Sequence, residues 1–168
     1  MNSNFQICIR RARLNDARVI AQFNAALALE TEHRELDLNR VLRGVRALLR
    51  DRAKGIYFVA EINRTLAGQV LITYEWSDWR NGNFWWIQSV YVRPEFRGLG
   101  VFKTLFAHIQ RLAHTRKDVC GLRLYVEREN TNAKRAYKKL GLKKTSYELL
   151  ETDFILDEAA AQSGRVSD

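Results

Sequence analysis

Apolar Ile7 and Ile9 alternate with polar or basic residues from Gln6 to Arg11, and this period of two predicts a first strand. The period then lengthens. Ala17, Ile20, Ala21, Asn24 and Leu27 recur at helical spacing behind Asn15 or Asp16, either of which supplies a capping side chain. A second helix is expected from about Leu36 to Arg52, with Leu38, Val41, Leu42, Val45, Leu48 and Leu49 on one face and Arg40, Arg43, Arg46 and Arg50 on the other. Lys54 and Gly55 stop it. Tyr57 to Ile62, Leu66 to Tyr74 and Phe84 to Val92 read as three strands, joined by the turn Asn63, Arg64, Thr65 and by the polar turn Ser77 to Asn83. After Pro94 the pattern predicts a helix from about Val101 to Lys117 and a strand over Gly121 to Val126. A helix over Asn130 to Leu140, ended by Gly141, and a strand over Leu142 to Leu150 follow, with a last short strand including Phe154 to Leu156.

The order β α α β β β α β α β, without repeat or linker, predicts one α/β domain with an antiparallel first half over residues 1–157, followed by a frayed tail at 158–168. At 168 residues the chain suits a single core. Hydrophobic residues at 46%, charged residues at 28% and a single proline exclude disordered, collagen-like and low-complexity classes. Apolar runs are too short to cross a bilayer, and in MNSNFQICIRRAR the arginines follow a very short apolar patch, unlike a signal peptide. Cys8 and Cys120 match no metal or redox spacing and point to buried thiols in a reducing cytosol, hence to a cytoplasmic protein. His33, His108 and His114 fit no ligand pattern and read as solvated, so no metal is expected.

Charge sharpens this picture. The net charge is +9, and residues 93 to 144 hold 14 basic and four acidic residues, a local +10 against −1 for the remainder. Such a segment is a solvated face or the footprint of an anion, either a nucleic-acid backbone or a phosphorylated ligand.

Two segments inside it carry candidate chemistry. In VYVRPEFRGLGVFKTLF, Val90 to Phe106, a strand leads into a glycine-containing turn (Arg97, Gly98, Leu99, Gly100) and at once into a helix. Glycines let backbone approach a ligand, and N–H groups at a helix start form a concave anion site that suits a pyrophosphate. An ordinary strand-to-helix turn explains the same residues. In LRLYVERENTNAKRAYKKLGLKK, Leu122 to Lys144, helical spacing places Asn130, Ala133 and Tyr137 on one face. An N-cap asparagine and a core tyrosine are the alternative reading.

Both segments, in this order, resemble the GNAT superfamily of acyl-CoA-dependent N-acetyltransferases, and the element order extends the resemblance over most of the chain. The resemblance implies a mixed, mostly antiparallel central sheet with flanking helices and a splay between the fourth and fifth strands. It implies that Arg97, Gly98, Leu99, Gly100, Val101, Phe102 and Lys103 hold the pyrophosphate of acetyl-CoA through backbone N–H groups, with Phe102 standing where the family usually has Gly or Ala. Val90 and Val92 match positions whose backbone pairs with the pantetheine arm, and Asn130, with Ala133 beside it, matches a cofactor-contacting amide. Tyr137 matches the tyrosine that protonates the departing thiolate. A backbone N–H near Val90 suits the oxyanion formed when an amine attacks a thioester.

The acceptor side is less marked. Glu75 and Asp78 lie among Trp76, Trp79, Trp85 and Trp86, where a carboxylate beside aromatic rings can attract a cationic amine and accept its proton. A packed tryptophan-rich hairpin with Asp78 bracing its turn reads equally well. Glu75 is the candidate base, with Glu32 and water as rivals. Trp76, Asp78, Gln88 and Tyr147, with Glu151 near the last, are candidate acceptor contacts. The expectation is a cytoplasmic acetyltransferase acting on a primary amine of a small molecule or peptide, with a homodimer left open. The rival is a basic nucleic-acid-binding module, ranked lower because no aromatic side chains are interleaved on a basic strand surface, or an enzyme acting on a nucleic-acid-associated or ribosomal amine.

Overall fold

A computed structural model describes residues 6–155, which divide into two compact units between Glu127 and Arg128. The expected tail at 158–168 and Leu156 lie outside the described residues. The first unit runs β1 (Cys8–Arg11), α1 (Ala17–Glu32), α2 (Leu38–Arg50), β2 (Ile56–Ile62), β3 (Thr65–Ser77), β4 (Gly82–Val92), α3 (Val101–His114) and β5 (Val119–Leu124). The second contains α4 (Thr131–Lys139).

The sheet has the order β1-β2-β3-β4-β5, with short connections between β2, β3 and β4 making those neighbours antiparallel. Passage through α3 brings β5 back parallel to β4, as a crossover helix requires. Side chains paired across strands share a face. Tyr57, Val59 and Leu71 therefore project to one side, where Ala17, Ile20 and Ala21 of α1 and Val45 of α2 complete a buried cluster. Phe58, Val70 and Ile72 project to the other side and are fully buried, as are Leu105, Phe106 and Ile109 of α3. The Phe58 ring meets the His108 imidazole edge-on at 5.2 Å, fixing α3 on that second face.

Several expectations change on inspection. Helix α2 starts at Leu38 because the Asp37 side chain accepts the Asn39 and Arg40 N–H groups, and Leu38 itself is exposed. Neither Asn15 nor Asp16 caps α1 through its side chain. Asp16 instead accepts from the Arg13 N–H and from Arg10, which also bonds Glu61 on β2, so the carboxylate is spent on tying β1 to the chain ahead of α1. Cys8 is exposed and Cys120 half-buried, so the expected buried thiols are not found: Cys8 lies on an edge strand. His108 is half-buried rather than solvated, and burial lowers its pKa. No strand occurs between Leu124 and Ile155. The apolar residues that suggested one over Leu142 to Leu150, and then at Phe154, include Leu149, Leu150 and Phe154, all exposed. Alternation alone does not make a strand without a ladder partner.

The feature that positions the site is an irregularity in β4. Gln69 pairs with Tyr91 and Leu71 with Gln88, so Ser89 and Val90 together stand opposite the single Val70. Ser89 adopts a left-handed φ of 47°. This is a β-bulge, which bends the strand and takes one residue out of the ladder. On its other edge β4 pairs with β5 only from Asn83–Val119 to Ile87–Leu124, leaving Gln88 to Val92 without a β5 partner.

Candidate active site

The first-unit residues expected to hold a cofactor follow one another along a continuous path. Val90 and Val92 occupy the stretch of β4 beyond its pairing with β5. The Arg93 N–H then bonds the Ala67 carbonyl at 2.9 Å, a short turn over Pro94–Phe96 follows, and Gly98 and Gly100 take φ values of 79° and 83°. Only glycine adopts such angles without strain, which is why this turn can reverse into a helix within so few residues. The internal bonds of α3 begin with the Thr104 N–H on the Gly100 carbonyl, and no side chain caps the helix. The first turn of a helix carries N–H groups that its own ladder cannot use, together with the positive end of its dipole. Such an end attracts an anion, and the stretch of β4 without a β5 partner leads to it.

Phe102 lays its ring 6.0 Å from that of Phe106, along the helix, while Val101 is buried against the sheet. The bulky side chain therefore leaves the glycine turn intact. Leu99 and Lys103 are exposed. Arg97 is exposed but paired: its Nε donates to the Val92 carbonyl at 2.9 Å and its Nη2 to Glu30 of α1 at 2.7 Å. Glu30 also accepts from the Tyr91 hydroxyl at 3.3 Å, and burial followed by the Glu30 charge raises the Tyr91 pKa.

The face of the sheet that carries α1 and α2 also bears a polar array at the β3–β4–β5 end. Thr73 pairs with Trp86 and Glu75 with Phe84, while Trp86 lies beside Arg123. Glu75 accepts from Trp86 Nε1 on one oxygen and from Arg123 at 2.5 Å on the other. The Arg123 guanidinium lies 3.7 Å from the Phe84 ring centre, Trp86 stacks on Tyr125 at 4.3 Å, and Gln88 Nε2 donates to Thr73 Oγ1 at 2.6 Å. Glu75, Trp86 and Gln88 thus share one face. Trp85 is buried on the opposite face, so the four tryptophans form no single wall. Asp78 accepts the Trp79 N–H at 2.9 Å in the hairpin turn, Trp76 and Trp79 are exposed, and Glu32 is the exposed last residue of α1.

In the second unit, the Asn130 side chain accepts the Ala133 N–H at 3.0 Å and so caps α4. Tyr137 follows two turns later on that helix, and burial pushes its phenol pKa up. Tyr147 and Glu151 are exposed, Tyr147 at 75%. Among the described residues no three His, Cys, Asp or Glu side chains cluster as metal ligands, and no helix is long and apolar enough to cross a membrane.

Sequence reasoning passed over Gln69, Ser89, Glu30 and Arg123. Gln69 carried a signal, being the one polar residue within the apolar run from Leu66 to Ile72 apart from glycine. Gln88 and Ser89 are the two polar residues between Phe84 and Val92. Nothing local marks Glu30 or Arg123, whose partners are distant in the chain.

Residues 21–142 match the family model for the acetyltransferase (GNAT) family. The crystal structure of a possible acetyltransferase from Clostridium difficile 630 shares 48% identity, covering 89% of this chain and 98% of that one with a TM-score of 0.83. A predicted acetyltransferase with acetyl-CoA from Clostridium acetobutylicum superposes at TM-score 0.71 and 18% identity, covering 90% of this chain and 98% of that one. Ribosomal-protein-alanine N-acetyltransferase from Brucella melitensis biovar Abortus 2308 does so at 0.71 and 21%, covering 89% and 99%. The latter two speak to the fold alone. No curated protein matches the chain.

Proposed function

The chain belongs to the GNAT acetyltransferase family, and we propose that it transfers the acetyl group of acetyl-CoA to a primary amine of a small molecule or peptide in the cytoplasm. The observation that carries this reading is the bulged stretch of β4 without a β5 partner, leading into the left-handed Gly98 and Gly100 at the start of α3. It offers backbone groups for an extended amide-containing arm and a helix end for a pyrophosphate.

Acetyl-CoA supplies an acyl group activated as a thioester. The residues of the protein bind and orient. The N–H groups of the first turn of α3 take the phosphates, and those of Val90 and Val92 hold the arm and receive the charge that grows on the carbonyl oxygen. Fixing amine and thioester side by side supplies much of the acceleration. Tyr137 returns a proton to the departing sulfur. Its raised pKa favours the protonated phenol that such a donor must be. Glu75 accepts the ammonium proton, directly or through water, from the face it shares with Trp86 and Gln88. In competition with that role, its bonds to Arg123 and Trp86 brace the sheet end.

At least four of the 14 basic residues in the basic segment have a carboxylate partner and so offer less free charge to a nucleic-acid backbone. Arg93, Arg97, Arg116 and Arg123 are each paired with a carboxylate, on Glu95, Glu30, Asp118 and Glu75.

The test compares Gly100→Pro with Arg97→Ala in calorimetric titration against acetyl-CoA. Proline cannot adopt the 83° φ of Gly100 and removes an N–H from the turn. The Arg97 guanidinium is already committed to Glu30 and Val92. Binding should be lost in the first variant and largely kept in the second. The reverse order, with both variants folded, would show that side-chain charge dominates.

A further inference from the structure

The β-bulge of β4 is held from beneath by a buried polar network that the packing of the core does not require. Gln69, on β3, is 0% exposed. Its Nε2 donates to the Ser89 carbonyl at 3.2 Å and to Asn24 Oδ1 of α1 at 2.6 Å. Asn24 in turn donates to the Tyr57 hydroxyl at 2.9 Å. Burial raises the Tyr57 pKa, opposed by the hydrogen bond from Asn24. Ser89, the residue in the left-handed conformation, is therefore held at its carbonyl by Gln69.

The network is incomplete in one respect. Gln69 Oε1 is buried with no hydrogen-bond partner among the described residues. A buried acceptor left unpaired lowers stability, a cost set against the two acceptors, on Ser89 and Asn24, that the Gln69 amide satisfies. Packing alone gives no reason for glutamine among Val70, Leu71 and Ile72. A left-handed non-glycine residue in a bulge also costs energy and persists only where its surroundings over-determine it. The second cost falls on the backbone beside the Val90 N–H.

We propose that Gln69, held by Asn24, is a positioning residue that locks the Ser89–Val90 bulge so that the Val90 N–H stays aimed at the carbonyl of the bound acetyl group. This rests on the acetyltransferase reading above, because only that reading gives the Val90 N–H a target. Gln69 touches no reacting atom. It acts through the Ser89 carbonyl, which lies in the same peptide plane as the Val90 N–H.

Gln69→Met retains length and flexibility while removing the donors, and Asn24→Ala releases Gln69 without altering the sheet. In Gln69→Met, kcat should fall by about 10- to 100-fold, part of the loss seen when an oxyanion donor is removed outright. Coenzyme A, which lacks the acetyl carbonyl, should bind within about twofold of wild type, while any preference for acetyl-CoA over coenzyme A should disappear. Asn24→Ala should shift both quantities in the same direction by less. Amide hydrogen exchange on the ligand-free protein supplies an independent readout. Ser89 and Val90 should exchange faster in both variants, with Val59 and Ile72 unchanged. A wild-type kcat and a wild-type preference for acetyl-CoA in Gln69→Met would overturn the proposal. Should that variant not fold, the same result in Asn24→Ala would overturn it. A wild-type protein that binds neither coenzyme A nor acetyl-CoA would refute the acetyltransferase reading instead, and unaltered exchange at Ser89 and Val90 would then refute the lock by itself.

Discussion

Adding one methyl group at Gly68 should destabilise the protein, whereas adding one at Gly44 should stabilise it. A Cβ at Gly68 would stand 2.7 Å from the Tyr91 carbonyl oxygen, about 0.7 Å short of the 3.4 Å at which ordinary contact begins, with Val101 Cγ1 at 3.2 Å and Val92 Cγ2 at 3.3 Å. The nearest obstacle is backbone in a paired strand, next to the bulge, and cannot rotate away. Relief requires β3 and β4 to separate locally, and overpacking of this kind costs about 2 kcal/mol. For a chain of this length that corresponds to a fall in Tm of roughly 4–8 °C. Gly44 lies in the middle of α2 with nothing within 4 Å of its notional Cβ. There alanine gains about 0.5–1 kcal/mol of helix propensity, a rise of roughly 1–4 °C. Thermal unfolding followed by circular dichroism at fixed pH and salt measures both. Because Tyr91, Val92 and Val101 are the groups displaced, Gly68→Ala should also weaken acetyl-CoA binding, and Gly44→Ala should not. A Gly68→Ala protein melting at or above the wild-type temperature would refute the reasoning that close approach of β3 and β4 excludes a side chain there.

Tyr137→Phe should keep fold and acetyl-CoA affinity while lowering turnover by roughly 100-fold, as for loss of one acid–base group, measured at saturating acetyl-CoA with an acceptor that the wild type uses. Glu75→Gln should lower kcat/KM by at least about 100-fold near neutral pH, with the deficit shrinking as pH rises and the free amine supplies itself; a loss of Tm with an unchanged rate would assign Glu75 to bracing Arg123 instead. Burial opposes ionisation of Asp16, but Arg10 and the Arg13 N–H outweigh it and hold the carboxyl below its usual 3.8, so the folded state binds this proton less readily than the unfolded one. That stability is present above 3.8 and is lost as pH falls through the lower folded value, and Asp16→Asn should flatten this part of the acid-unfolding curve.

The parts of the fold legible in the sequence were those fixed by local pattern. The periods of two and of about 3.6 place β2 to β4 and α1 to α4, because core faces are written into the spacing of residues such as Tyr57, Val59, Ile20 and Leu105. The glycine turn was legible because Gly98 and Gly100 serve a backbone geometry that few other residues reach. Cooperative features were not. The Ser89 carbonyl takes its hydrogen bond from Gln69, distant in the chain, and Asp16 is drawn from capping by Arg10, which Glu61 also holds, a competition that no window of sequence displays. The array around Glu75 needed the β4–β5 register, which sets Arg123 beside Trp86. Alternation misled at Leu142 to Leu150, where apolar residues occur without a strand to pair with.

The central claim is that this chain binds acetyl-CoA and passes its acetyl group to an amine. The most direct test is release of the coenzyme A thiol, followed with a thiol reagent while a panel of primary amines is offered with acetyl-CoA, alongside thermal unfolding with and without coenzyme A. The account predicts amine-dependent thiol release for at least one class of amine, and a stabilisation of about 2.7 kcal/mol at a coenzyme A concentration 100 times its Kd. No calorimetric binding of acetyl-CoA at millimolar concentration, together with thiol release that no amine accelerates, would contradict it.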